Sequence, residues 1–378
     1  MIVLYILIAL LVLMLMIVIH ELGHYLVGRW LGFKITEFSV GFGKKLWQKT
    51  NKRGEKISLR LLPLGGYCAF YGEEDEDETK DGQKIDKADP KLFNNQPPWK
   101  RILVFLAGVT FNFISAVIFA FILLLATGYG NAYKVDNVNE HFVTSASSTN
   151  QIAQLEKGDL ILKIDNKKID YVWEKNIEKM VVNEVGNSYT LTVKKATSGE
   201  VLNLNVEVQN NIDMAYNSET EMYEIQYDEN GNVMYYTGLG VSMGLTSVPV
   251  NFTEALLGSF SLAIGFAWMI LKTFWLLITF QLPITALGGT LTMISTVTTT
   301  IGIDFSVILV YLPLIAANLA VFNALPLPAL DGGHVVFTGI EWIRGKPINR
   351  NVESIIHFIG LILLFGLVIV LDLLHFLG

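Results

Sequence analysis

Hydrophobic positions gather into long uninterrupted runs, and polar stretches lie between them. Runs long enough to cross a bilayer, about 20 residues, cover 2–30, 102–127, 305–325 and 355–374. A fifth, 255–280, has the length but carries Lys272 and four early glycine or serine residues. A sixth, 284–303, is rich in glycine and threonine and only weakly apolar. Within the polar stretch 31–100, "KISLRLLPLGGYCAF" partly alternates and turns at Gly65-Gly66, which predicts a β-hairpin. "GEEDEDETKDG" (72–82) is a charge run and reads as a solvated loop. From 131 to about 243 the pattern changes to short alternating runs, "DLILKID", "YTLTVKK" and "VLNLNVEV". About 110 residues of this kind suffice for one small β-rich domain, and Glu229-Asn230-Gly231-Asn232 near its end reads as a hairpin turn.

Composition changes the picture from a chain with apolar segments to a polytopic α-helical membrane protein. Hydrophobic residues make up 52% and charged ones 17%, and the mean hydropathy is +0.44, too apolar for an ordinary soluble chain. The net charge of −7 does not set orientation, which follows lysine and arginine in short loops. Arg29, Lys34, Lys44, Lys45, Lys100, Arg101, Arg344, Lys346 and Arg350 mark cytoplasmic faces, so 131–245 is expected outside, with both termini. The first run lacks a basic flank and a small-residue cleavage site, and is expected to be a retained helix. The single cysteine, Cys68, excludes an intrachain disulfide and reads as a small packed residue. No nucleic-acid partner is expected.

The candidate chemistry lies in "VIHELGHYL". His20 and His24 are one helical turn apart on one face, a spacing at which two imidazole nitrogens can meet one Zn²⁺. Glu21, beside them, is placed to take a proton from a water activated by the metal. Ionisable groups in a membrane helix are functional by default. His20 lies roughly 27 Å along the helix from Ile2, close to one boundary of a ~30 Å hydrocarbon core, where water has access. A catalytic zinc wants a third protein ligand. "NALPLPALDGGH" supplies it: Pro326 and Pro328 break the helix, and broken backbone at membrane depth belongs where it is buried in protein or lines a cavity. Asp331 is the candidate, with His334 the alternative. His357 and His375 read as packing or interface residues, and His141 as an unremarkable residue of the β-rich region.

These motifs resemble the site-2 protease family of intramembrane zinc metalloproteases, in particular the bacterial sigma-factor-regulating type with a PDZ insert. His20-Glu21-Leu22-Gly23-His24 matches its HExxH. Asn323, Pro326, Pro328, Asp331 and Gly332 match its Asn-x-x-Pro-x-Pro-x-x-Asp-Gly. Gly108 and Asn112 match its Gly-x-x-x-Asn, with Val109 where relatives often have proline. "FSVGFGKKLW" and "LPLGGYCAF" resemble its membrane-associated β-loop, and 155–159 resembles the Leu-x-x-Gly-Asp turn of PDZ domains.

The resemblance implies about four transmembrane helices, a membrane-associated β-loop and an extracytoplasmic β-rich PDZ-like domain. The expected order is helix 1 (1–30), a cytoplasmic region with the β-loop and acidic loop (31–100), helix 2 (101–128) and the PDZ-like domain (131–245). Membrane-associated or re-entrant segments (254–303), helix 3 (305–333) and helix 4 (352–377) follow. Parity agrees: an odd number of crossings must separate an outer domain from an inner Asp331. The expected activity is zinc-dependent cleavage of single-span membrane proteins, such as anti-sigma factors or remnant signal peptides, in the bacterial inner membrane. The strand edge around 58–67, with Gly65 and Gly66, is expected to hold unwound substrate by main-chain hydrogen bonds. Asn112 and Asn323 are further substrate-binding candidates; Asn323 can equally orient the loop or cap the helix before the prolines. The PDZ-like domain either binds a ligand or filters by size. A zinc-dependent transporter leaves Glu21 and the PDZ-like insert unexplained, and the intact Glu21 argues against a non-proteolytic PDZ scaffold.

Overall fold

The computed structural model describes residues 2–73, 89–138, 150–173, 175–217, 222–283 and 288–377. Most of the acidic run 72–82, and His141, lie outside them. The chain divides into two units, Met1–Ile122 with Leu256–Gly378, and Leu123–Ala255.

The first unit opens with α1 (Ile2–Trp30), followed by β1 (Ile35–Thr50), β2 (Lys56–Phe70) and α2 (Pro98–Ala126). The stretch 56–70 does not turn back at Gly65-Gly66 as expected: it is the single strand β2, which pairs with β1, and the chain reverses at 51–55 instead. Residues 35–40 pair with 66–70 on one side and with 56–59 on the other, while 47–50 close on the far side of 56–59. Residues 66–70 therefore form an edge. Phe33, Ile35, Phe70, Phe93, Val104 and Phe105 make a buried cluster that fastens this sheet to α1 and α2; burial of each such side chain is worth about 1.5–3 kcal/mol.

The second unit begins, after α2, with β3 (Ala132–Val138), β4 (Leu160–Ile164), β5 (Lys167–Lys168) and the single turn α3 (Ile177–Met180). It continues through β6 (Ser188–Lys194), β7 (Val201–Glu207), β8 (Gln209–Ile212), β9 (Met214–Asn217), β10 (Met222–Ile225), β11 (Tyr235–Gly238) and β12 (Val241–Thr246). The main sheet runs β12-β3-β4-β6-β7 with β5 on β4, and two small pairs, β8/β11 and β9/β10, stand apart from it. Alternation dictates the core: Leu191 and Val193 of β6, Leu204 and Val206 of β7, and Ile161 of β4 point inward and are almost fully buried, while Thr190 and Thr192 bond outward to Asn205 and Asn203. The expected reversal near 229–232 is present; Asp228 accepts the Asn230 and Asn232 N–H groups.

Helix α4 (Phe252–Ile278) leads back to the first unit. There follow α5 (Thr290–Ile303), α6 (Ile308–Ala324), α7 (Asp331–Arg344) and α8 (Arg350–Leu377). Among the described residues, five helices are long and apolar enough to cross a membrane, one more than the four expected; the additional one is α4. Phe274, late in α4, rings against Phe322 at 4.8 Å. Helix α5 is about 21 Å long. It packs through Val297 and Ile301 on Ala9 and Tyr5, near the start of α1. The Asp372 carboxylate of α8 accepts the N–H groups of Leu291 and Thr292 and the Thr292 hydroxyl, so an acid deep in an apolar helix is satisfied by the open N-terminus of α5. The expected third span, 305–333, is two helices: α6 stops at the prolines, and Asp331 begins the separate amphipathic α7.

Candidate metal centre

Helix α1 brings His20 and His24 to one face, and the start of α7 brings Asp331 to the same point. His20 Nε2 lies 3.1 Å from Asp331 Oδ2, His24 Nε2 lies 3.4 Å from it, and the two Nε2 atoms are 3.2 Å apart. Ligands 2.0–2.1 Å from a tetrahedral zinc stand about 3.3–3.4 Å from one another, 1.63 times the bond length. The triangle thus has the dimensions of one face of a zinc tetrahedron. Asp331 Oδ2 is buried without a hydrogen-bond donor, a costly arrangement for a carboxylate unless a cation takes its place. These residues fit the metal that the motif predicts.

Helix α2 shapes the other side. A Cβ at Gly23 would strike the Ala107 carbonyl, and one at Gly108 would strike both imidazoles; the two glycines let α1 and α2 approach and leave room for the rings. His24 Nδ1–H donates to the Val104 carbonyl at 2.8 Å, which turns the Nε2 lone pair toward Asp331. The Asn112 amide lies 3.2 Å from His20 Nδ1, while its Oδ1 is buried without a partner. Amide oxygen and nitrogen exchange places on rotation; with Oδ1 toward His20, the ring donates from Nδ1 and Nε2 is free for the metal. Asn112, expected to touch substrate, instead lies against a metal-motif histidine.

The β2 edge lies beside Glu21 at Gly66. A side chain at Gly66 would meet Glu21 Cγ and the Ser39 carbonyl. Gly65, at φ +133°, lies under the Phe42 ring. Of the two glycines expected at a substrate strand, Gly66 adjoins Glu21 and Gly65 is covered. Asn323 lies half-buried in the last turn of α6, and among the described residues no hydrogen bond joins it to the metal motif. The edge is held from behind by Arg60, which bonds Glu37 (2.8 Å), Ser39 (2.9 Å) and Tyr67 (2.6 Å).

The Asp331 corner is strained. Pro326 and Pro328 lack N–H donors, and Ala329 adopts φ +73°, a left-handed conformation costing a non-glycine residue about 1–2 kcal/mol. Behind it, α7 is clamped by a buried ion pair, Arg101 to Glu341 at 2.6 Å, with Arg350 reaching both Glu341 (3.2 Å) and Glu353 (3.0 Å). Sequence reading missed this network because Arg101 and Glu341 are 240 positions apart; the charges themselves, in an apolar chain, were the signal.

His334, the alternative third ligand, points elsewhere. It forms a group with Glu353 and His357, but its ring stacks on His357 at 3.9 Å and 13°. A metal lies in the plane of each imidazole it binds, and two stacked rings offer no such shared point. His357 Nδ1 also accepts the Ala329 N–H, which leaves the proton on Nε2. This second group does not fit a metal.

The fold and site together define a membrane-embedded zinc metalloprotease. The model of peptidase family M50, the site-2 protease family, matches residues 8–367, and the chain belongs to that family. It is 30% identical to a protein of Agrobacterium fabrum over 95% of this chain and 92% of the relative. It is 31% identical to one of Nostoc over 95% and 92%, and 29% identical to one of Clostridium perfringens over 98% and 97%. All three carry the name "Putative zinc metalloprotease".

Proposed function

We propose that this chain is an intramembrane protease of the bacterial inner membrane that cuts the transmembrane segments of single-span proteins. The observation that carries the reading is the convergence of His20, His24 and Asp331 beside Glu21, at the end of a membrane helix. His20, His24 and Asp331 would hold the zinc, which supplies Lewis acidity when bound. Glu21 takes the proton from the attacking water and delivers it to the leaving amine nitrogen as the C–N bond breaks. A helical substrate hides its carbonyls, so it must unwind first. The 66–70 edge, with Gly66 beside Glu21, favours strand addition that lays an extended segment along the base. Asn323 is proposed to hold the same segment from the α6 side.

The topology proposed is four spans with the metal near the cytoplasmic face. Helix α6 supplies the odd crossing required between an outer 131–245 and an inner Asp331. Helix α5 is too short for a ~30 Å core, and α4 lies in the membrane without adding a net crossing. Residues 131–245 are proposed as a PDZ-like domain that controls access. Leu155, in the turn resembling PDZ domains, is buried in the core, so ligand recognition there would use a strand edge rather than this side chain. The test of the function is cleavage of a single-span substrate by the full chain in vesicles, beside Glu21→Gln. Equal cleavage by both would defeat the proteolytic reading, and cleavage outside the membrane segment would defeat the intramembrane one.

A further inference from the structure

The backbone between α6 and α7 has few ways to satisfy itself. Leu327 N–H bonds tightly back to Leu325 at 2.7 Å, and Leu330 N–H reaches Leu327 at 3.3 Å. Pro326 and Pro328 have no N–H to give. The Ala329 N–H crosses to α8 and donates to His357 Nδ1 at 2.9 Å. Ala329 is also the residue held at φ +73°, and a left-handed non-glycine residue persists only where its surroundings enforce it.

Helix α8 is cut to receive this corner. Gly360, nearly one turn after His357, lies against Pro328, and any Cβ there would run into the proline. The His357 ring stacks on His334, which is nearly one turn into α7. One imidazole therefore touches the residue two before Asp331 and the residue three after it. Its Nδ1 is an acceptor, which fixes the neutral tautomer with hydrogen on Nε2.

We propose that His357 is a positioning residue of the metal centre. By accepting the Ala329 N–H from α8, it holds the corner in the backbone shape that delivers the Asp331 carboxylate to His20 and His24. The proposal rests on the reading of Asp331 as a zinc ligand. It gives α8, which supplies no ligand, a part in metal retention.

The experiment measures the rate at which the purified, zinc-loaded full chain loses zinc to a chelator, with thermal unfolding recorded in parallel. His357→Phe keeps a stacked ring and removes the acceptor. His357→Asn places a carboxamide oxygen near the position of Nδ1 and removes the stack. Partners that orient metal ligands typically affect affinity 10–100-fold, so His357→Phe should lose zinc about tenfold faster or more, while His357→Asn stays near wild type. Wild-type retention in His357→Phe overturns the proposal, and so does loss in His357→Asn as fast as in His357→Phe. If His357→Phe does not fold, the asparagine variant decides alone: wild-type retention supports the acceptor role, and tenfold faster loss refutes it. Asp331→Ala separates the two levels. Fast loss there with wild-type retention in His357→Phe removes only this proposal; wild-type retention in Asp331→Ala removes the ligand reading and this proposal with it.

Discussion

Two acids, the fully buried Asp159 of the β-rich unit and the partly buried Asp331 of the membrane unit, have opposite surroundings. Asp159 is saturated by near neighbours: its carboxylate accepts the Glu156 N–H at 2.9 Å, the Ala196 N–H at 2.9 Å and the Lys195 ammonium at 2.7 Å. Burial pushes its acidity down, but these donors outweigh burial and hold its pKa below the usual carboxylate range. Asp331 has a buried oxygen with no donor and two imidazole nitrogens in front of it. A carboxylate whose hydrogen bonds are complete stabilises a fold; one left incomplete among metal-ligand atoms is kept for a ligand.

Several experiments would break or sharpen this contrast. The largest effect belongs to Glu21→Gln, which removes the proton acceptor and keeps its shape. Cleavage should fall 10²–10⁴-fold while zinc content and unfolding temperature hold; metal loss in this variant would place Glu21 among the ligands instead. Next comes Asp159→Ala, which takes the acceptor from the Glu156 and Ala196 N–H groups and one of the partners of Lys195 and opens the turn. Removing one partner of a buried pair costs about 3–5 kcal/mol, and hydrogen exchange of the Val135, Ile161 and Val193 amides should report it. Zinc content should not change, and a parallel loss of zinc would show that the two acids are not independent.

Asn112→Leu should be smaller, weakening zinc retention about 10–100-fold through His20 without touching β-unit exchange. Retention at the wild-type level would return Asn112 to the substrate side. The smallest effect is acid sensitivity of the β-rich unit. Asp159 has a folded pKa below its unfolded value of about 3.9, so its contribution is complete above that value and is lost as pH falls below it toward the folded pKa. Exchange protection corrected for intrinsic rates should therefore drop below about pH 4, and Asp159→Asn should flatten that drop.

Much of the β-rich unit was legible because its determinants are local. Period-two alternation gave β4, β6 and β7, and the turn at Asp228–Asn232 closes within five residues. The membrane unit was legible in its helices, since apolar length alone marks them, and in the HExxH pair, since a helix converts a spacing of four into one face. Helix α7 was missed although the prolines marked the break, because its own amphipathic stripe is short and was counted with the third span. The approach of Asn112 to His20 was not legible because a motif states which residue is present and not what it faces.

The sequence by itself determined that the chain is membrane-embedded, that two histidines one turn apart with a glutamate beside them sit near one end of the first helix, and that an acid follows a proline break. These depend on composition and on spacings within a single turn of chain. Only the tertiary structure decided that Asp331 rather than His334 faces the histidines, that Gly66 brings a strand edge to Glu21, and that α8 grips the corner through His357. Each of those joins residues tens to hundreds of positions apart, and such contacts depend on how helices approach and which backbone groups remain unsatisfied, neither of which a linear pattern encodes.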